Sequence, residues 1–257
     1  MKKGQRPWTR EELILTINLY CKTPFGKLHR SNPDVVQLSK LIDRTPSSVA
    51  LKLVNFASLD PTLKNRGIKG AVNSSKLDKQ IWDEFFENWD VLSYESELML
   101  ANIQHKDIAG SMDMPDTEIH KTGLTKEQVV KVRVNQSFFR STVLASYNNT
   151  CCITGIQQPE LLIASHIRPW SIDEKNRLNP TNGIAINALH DKAFEAGLLT
   201  ITPKYQIRIS SRLYKARTAP NIEDFFLRFD GKDIILPSRF LPNPAFLEYH
   251  NSERFME

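Results

Sequence analysis

The sequence predicts an α+β fold, with a helical N-terminal domain ahead of a C-terminal domain that mixes short strands and helices. Three observations predict it: apolar residues at helical spacing behind cap signals before residue 72, changes of charge balance near residues 70 and 120, and short β-prone stretches closed by turns after residue 150. The 257 residues are 40% hydrophobic and 25% charged, enough to bury a core and too apolar for a disordered chain. No apolar run is long enough to cross a membrane, so no membrane partner is expected. Met1 to Trp8 is basic but runs into Thr9-Arg10-Glu11-Glu12 rather than an apolar stretch, so no secretory signal is expected. Cys21, Cys151 and Cys152 are odd in number and contain no CxxC pair, which disfavours a disulfide framework or a four-cysteine zinc site and points to a reduced, cytoplasmic protein.

The first helix begins at Thr9, a cap residue with Glu12 three positions on, and carries Leu13, Ile14, Ile17 and Tyr20 to a stop near Pro24. A second follows Asn32-Pro33, with Val35, Leu38 and Leu41 as apolar positions. A third runs from Ser47 to Phe56, with Thr45 as cap and Pro46 at the favoured first position. Residues 1–70 hold 13 Lys/Arg against 5 Asp/Glu, and residues 71–120 hold 3 against 11. A basic segment of this size suits a polyanion such as nucleic acid.

Leu38 to Leu53 resembles the second half of a Myb-like helix-turn-helix domain. That resemblance makes Ser47, Ser48, Lys52 and Asn55 the groove-facing candidates, and Lys2, Lys3, Arg6 and Arg10 a basic arm along the DNA backbone. The alternative is a small helical interaction bundle. Residues 73–125 read as an acidic helix and linker, with Ile81, Trp82, Phe85, Phe86 and Trp89 as core, because Asp83, Glu84, Glu87 and Asp90 would repel phosphate. The domain expectation is therefore 1–72, 73–125 and 126–257.

The last region carries the chemistry. After a helix ending near Tyr147, Cys151 to Gly155 and Leu161 to Ile167 read as two strands of a hairpin, with His166 near its end. A charged, proline-bearing loop from Arg168 to Pro180 follows, and then Asn182 to Asp191, leading into a short helix. The order is strand, strand, loop, helix.

That order, with His166 on the hairpin, Asn182 in the loop and His190 at the helix start, resembles the ββα-metal motif of the HNH endonucleases. From Arg133 to about His250 the chain resembles the branch found in bacterial restriction enzymes. The matching positions are Gln136 and Phe139-Arg140, Cys151-x-Ile153-Thr154-Gly155, Leu162 to Ile167 with Pro169-Trp170, Asn179-Pro180-x-Asn182-Gly183-Ile184, and Leu189-His190-Asp191-x-x-Phe194-x-x-Gly197-Leu198. Leu236-Pro237, Pro244, Leu247, Tyr249-His250 and Phe255 resemble the terminal segment of such proteins.

Hydrolysing a phosphodiester requires a nucleophilic water, stabilisation of the charge on the phosphoryl oxygens, and protonation or metal shielding of the leaving oxygen. A histidine titrating near neutrality makes His166 the candidate general base. The resemblance gives Asn182 the role of accepting the second imidazole N–H, and imidazole chemistry suits His190 to a divalent cation, Mg²⁺ first, with Mn²⁺, Ni²⁺ or Zn²⁺ as alternatives. Arg168, Lys175 and Arg177 are candidate phosphate contacts. Many HNH nucleases place a metal ligand directly before the base histidine, where this chain has Ser165, so Asp191 is taken as the second ligand with Glu195 behind it. The implied protein is a metal-dependent endonuclease of restriction type acting on double-stranded DNA, as a homodimer and with a cognate methyltransferase nearby. The alternatives are a DNA-binding regulator with an inactive HNH-like domain and a nuclease for modified DNA.

Overall fold

A computed structural model describes residues 6–67, 74–108, 125–216 and 220–257. The chain divides into two compact units, residues 1–138 and 139–257. The first is helical: α1 (Arg10–Lys22), α2 (Pro33–Leu41), α3 (Pro46–Leu59), α4 (Pro61–Asn65), α5 (Lys76–Glu87), α6 (Trp89–Ile103) and the first part of α7 (Lys126–Ser146). Thr9 and Glu12 form the reciprocal capping box that the sequence predicts, and Thr45 caps α3 ahead of Pro46. Between α2 and α3 the chain reverses through Asp43, at φ 51°, where Arg44 N–H closes onto the Ser39 carbonyl at 2.8 Å. A short polar side chain tolerates this left-handed conformation. Leu13, Ile14, Ile17 and Tyr20 of α1, Val49, Leu53 and Phe56 of α3, and Ile81, Trp82 and Phe85 of α5 form the core. The aromatic residues of α5 are packed, with Trp82 edge-on to Tyr20 at 5.8 Å.

The opposite charges of residues 1–70 and 71–120 meet inside this unit. Arg10 of α1 pairs with Glu84 of α5 and with Glu95 of α6, and Lys22 lies 2.6 Å from Glu97. Arg6 binds Glu12 and the Ile42 carbonyl, and Arg44 binds Glu12 from the other side while its guanidinium lies over the Trp8 ring. Lys52 and Asn55 are corrected outright as groove residues. Both are buried and both bond Asp78 at the start of α5, Lys52 at 2.8 and 3.0 Å. An ammonium this deep is held by its carboxylate and is not offered to phosphate. Ser47 is exposed and Ser48 partly so at the first turn of α3, whereas Lys2 and Lys3 lie outside the described residues.

The second unit contains the rest of α7, a two-stranded antiparallel sheet of β1 (Leu162–His166) and β2 (Gly183–Asn187), and α8 (Ala188–Glu195), which packs on both strands. A second pair, β3 (Leu199–Ile201) and β4 (Ile207–Ile209), follows; then come α9 (Ser211–Lys215), α10 (Pro220–Phe225) and α11 (Pro244–Glu253), which packs on β3. The expected hairpin is corrected here. Cys151 to Gly155 is a turn closed by Gly155 N–H on the Cys151 carbonyl, and the partner of β1 is Gly-Ile-Ala-Ile-Asn at 183–187. All five residues of β2 are buried, and a continuous apolar run covered on both faces lacks the alternation that marks a strand in sequence. The order is strand, loop, strand, helix, and it puts His166 opposite Gly183 in register.

Candidate active site

Register places His166 at the end of β1, and two neighbours fix its ring. Phe139, on α7, stacks face to face with it at 4.1 Å and 9°, and Trp170 meets it edge-on at 5.5 Å. The ring reaches that position because Gly183 lacks a side chain: a Cβ there would stand 2.5 Å from Val143 Cγ2 and 2.8 Å from Phe139 Cζ. His166 Nε2 lies 2.8 Å from the Arg177 carbonyl. A carbonyl only accepts, so the proton sits on Nε2 and Nδ1 carries the lone pair. Burial holds the imidazole below its ordinary pKa despite the Arg177 carbonyl, which acts in the opposite sense. A neutral imidazole with its tautomer fixed from behind is the form a general base needs.

Asn182 acts one step further out than expected. The acceptor for the imidazole N–H is the Arg177 carbonyl, and the fully buried Asn182 side chain fastens the loop that presents it. Its Oδ1 accepts from Arg168 N–H at 2.8 Å, and its Nδ2 donates to the carbonyls of Arg168 and Asn176. A loop between two strands has few backbone partners of its own, and one amide side chain supplies three bonds at its neck.

The second correction concerns His190. It is 2% exposed, accepts at Nδ1 from Asn187 Nδ2 at 2.7 Å, donates at Nε2 to the Phe225 carbonyl, and lies edge-on to Phe226 and Phe229. Both ring nitrogens are committed within the protein, which leaves neither for a cation. The reason is helical phase: α8 buries His190, Ala193 and Phe194, and turns Asp191, Lys192 and Glu195 the other way. Cys151 belongs to the same buried cluster.

The open face of α8 and the end of β1 line a cavity of about 520 Å³ that contains Ser165, His166, Trp170, Asp191, Glu195 and Arg254. Asp191 is half-buried. Burial raises its pKa, Ser165 draws it back by a hydrogen bond, and Glu195 raises it again. Two carboxylates one helical turn apart and a serine hydroxyl are hard oxygen donors, the set that Mg²⁺ or Mn²⁺ takes. Among the described residues no three His, Cys, Asp or Glu side chains form a metal cage. The residues present fit a cation that keeps part of its water shell and borrows oxygens from a phosphate, as Mg²⁺ does.

The three basic candidates separate. Arg168 pairs with Asp173 at 2.8 Å and lies over Tyr249, and Arg177 pairs with Glu174 and bonds the Trp170 carbonyl, so both brace the loop. Lys175 is exposed. Sequence reasoning missed Phe139 as the platform for His166, and it missed Arg254 altogether. The signal for Arg254 is its position between His250 and Phe255, two residues of the terminal segment that carries the resemblance.

Residues 151–202 match the family model described as HNH endonuclease. The matched segment holds His166, Asn182, His190, Asp191 and Glu195, and ends within β3 and its following turn. No match to the chain was found among the curated proteins.

Proposed function

With an HNH endonuclease domain at residues 151–202 as the premise, we propose that the protein is a metal-dependent DNA endonuclease that hydrolyses phosphodiester bonds with His166 as general base. The observation that carries this reading is the shared cavity: an imidazole with a fixed tautomer beside Asp191 and Glu195, in a space of about 520 Å³ that a phosphodiester can enter. His166 Nδ1 takes the proton of the attacking water, the Arg177 carbonyl stabilises the imidazolium that forms, and the Phe139 ring keeps the imidazole plane fixed during the transfer. Asp191 would be the principal protein ligand of a bound cation, with Ser165 orienting its carboxylate and Glu195 adding negative charge. Bound there, a divalent cation would supply positive charge to the phosphoryl and leaving oxygens. His190 contributes by holding the start of α8 against α10, which sets the direction of Asp191.

The restriction-type role rests on the division of the chain. A helical unit carrying an exposed first turn on α3, at Ser47 and Ser48, precedes the cutting unit, and a double-strand break would require two copies of the single site. The test is plasmid cleavage with Mg²⁺ or Mn²⁺, on unmodified and on cytosine-modified DNA. Wild-type protein should nick or linearise, and His166→Ala should lose about 10²- to 10⁴-fold in rate. Equal cleavage by both proteins would remove His166 from the chemistry.

A further inference from the structure

The cavity needs a positive group for the phosphate it receives, and the sequence candidates do not provide one inside it. Arg168 and Arg177 are paired with Asp173 and Glu174, and Lys175 does not line the cavity; Lys192, not a sequence candidate, does line it, and pairs in solvent with Glu195 on its own helix. Arg254 is different. It lines the cavity from the end of α11, far in sequence from the matched segment, and its guanidinium donates to the Glu195 backbone carbonyl at 3.1 Å. No described carboxylate forms an ion pair with it. Burial is the main reason the neighbouring His250 imidazole stays neutral, and the Arg254 charge acts in the same direction.

The fold takes several steps to put Arg254 there. Gly197, at φ 70°, ends the turn after α8, and a Cβ on it would stand 2.1 Å from the Arg254 carbonyl oxygen, so α11 can end there only because position 197 is glycine. Met256 N–H bonds the Gly197 carbonyl at 2.9 Å. His250 stacks on Phe194 at 3.6 Å, meets Thr200 Oγ1 at Nδ1 and donates from Nε2 to the Phe194 carbonyl. Asn251 reaches the Ile201 carbonyl. These ties join α11 to α8 and β3, the elements that carry and follow the two carboxylates.

Resting on the nuclease reading above, we propose that Arg254 is the phosphate-binding cation of the site, and that the C-terminal helix is a working part of the nuclease. A guanidinium anchored at one nitrogen by a backbone carbonyl keeps donors for a phosphate oxygen, and its charge offsets the negative charge that Asp191 and Glu195 bring to the cavity.

The experiment uses the full chain in the His166→Ala background, expected to bind with little cutting, and measures affinity for a short DNA duplex across a salt series with Ca²⁺ present. Arg254→Gln should weaken binding about tenfold at low salt and reduce the salt slope by about one, while Arg254→Lys should recover most of the loss. Lys204→Gln, which removes an exposed cation that does not line the cavity, should change affinity less than twofold. Cleavage is then measured with His166 restored, where Arg254→Gln should lower the rate at saturating DNA as well. Unchanged affinity and salt slope in Arg254→Gln would overturn the proposal whether or not the wild type cuts. A weakened Arg254→Gln together with a wild type that never cuts would keep the phosphate contact and refute the nuclease reading instead. Arg254→Met, with a thermal midpoint matching the parent, separates loss of charge from loss of fold.

Discussion

Replacing Gly183 by alanine tests the link between packing and chemistry. Position 183 is extended, at φ −129°, so alanine costs nothing in backbone strain and the effect is steric. The new methyl would stand 2.5 Å from Val143 Cγ2 and 2.8 Å from Phe139 Cζ, against roughly 3.5–4.0 Å for relaxed carbon contacts, so β2 and α7 must part by about 1 Å. Overpacking of this kind costs about 1–3 kcal/mol, or a fall in melting temperature of about 2–10 °C for a chain of this size. Phe139 is the ring stacked on His166, so the same movement tilts the proposed general base, and a misplacement of about 1 Å can cost about 10²-fold in rate. The assays are plasmid nicking at saturating Mg²⁺ and thermal denaturation. Adding Val143→Ala should recover stability more than activity, because it relieves the aliphatic clash and leaves Phe139 displaced. A Gly183→Ala protein that melts and cuts like the parent would refute the reasoning. One that melts lower yet cuts at full rate would show that the Phe139 stack does not position the base.

Three further outcomes follow from other parts of the structure. Asp78→Asn should destabilise the first unit by about 3–5 kcal/mol in chemical denaturation, because it leaves the buried Lys52 ammonium without its counter-charge; Lys52→Met, which removes the charge itself, should cost clearly less. His250 is held down to about 4, chiefly by burial and further by Arg254, against the opposing Phe194 carbonyl. Its folded pKa is below the unfolded value, so the unfolded chain binds the extra proton. Stability is complete above about pH 6.5 and falls as pH drops towards 4, by on the order of 3 kcal/mol, and urea titrations of His250→Gln should show a shallower acid loss than the wild type. Asp191→Asn should weaken the apparent Mg²⁺ affinity of cleavage while leaving the melting temperature within a few degrees. His190→Ala should act mainly on the fold, lowering the melting temperature through loss of its Asn187 and Phe225 bonds, and should weaken the apparent Mg²⁺ affinity less than Asp191→Asn does.

What the sequence revealed and what it hid divide along the range of the interactions. Thr9 with Glu12, and Thr45 with Pro46, are signals read within four residues, and the helices start where those residues place them. The pairing of β1 with β2 is not local. Sixteen residues of loop separate the strands, and β2 shows no alternation because both its faces are covered, so the nearer stretch at Cys151 competed for the role. The same distance hid the partners of the basic residues. Nothing near Lys52 in sequence shows that Asp78 will neutralise it, and the positive balance over residues 1–70 gives no sign that Arg10, Lys22 and Lys52 pair with the acidic helices that follow.

Helical phase accounts for the remaining difference, and it bears directly on the chemistry. In an eight-residue helix, adjacent positions point about 100° apart, so a motif that places His190 and Asp191 side by side cannot say which of them enters the site. The core decides it. Phe194 and Ala193 must be buried against the strands, and that rotation carries His190 inward to Asn187 and Phe225 and carries Asp191 outward to Ser165. Ser165 then ceases to be a defect in the motif. A serine beside His166 cannot hold a cation alone, but it can donate to a carboxylate on the facing helix and aim it, which is why the proposed metal site is built on oxygen donors and leaves His190 to structure. Ser165→Ala should therefore raise the Mg²⁺ concentration needed for half-maximal cleavage by a fewfold, and Ser165→Asp should lower it; unchanged Mg²⁺ dependence in both variants would mean that Asp191 is aimed by the helix alone.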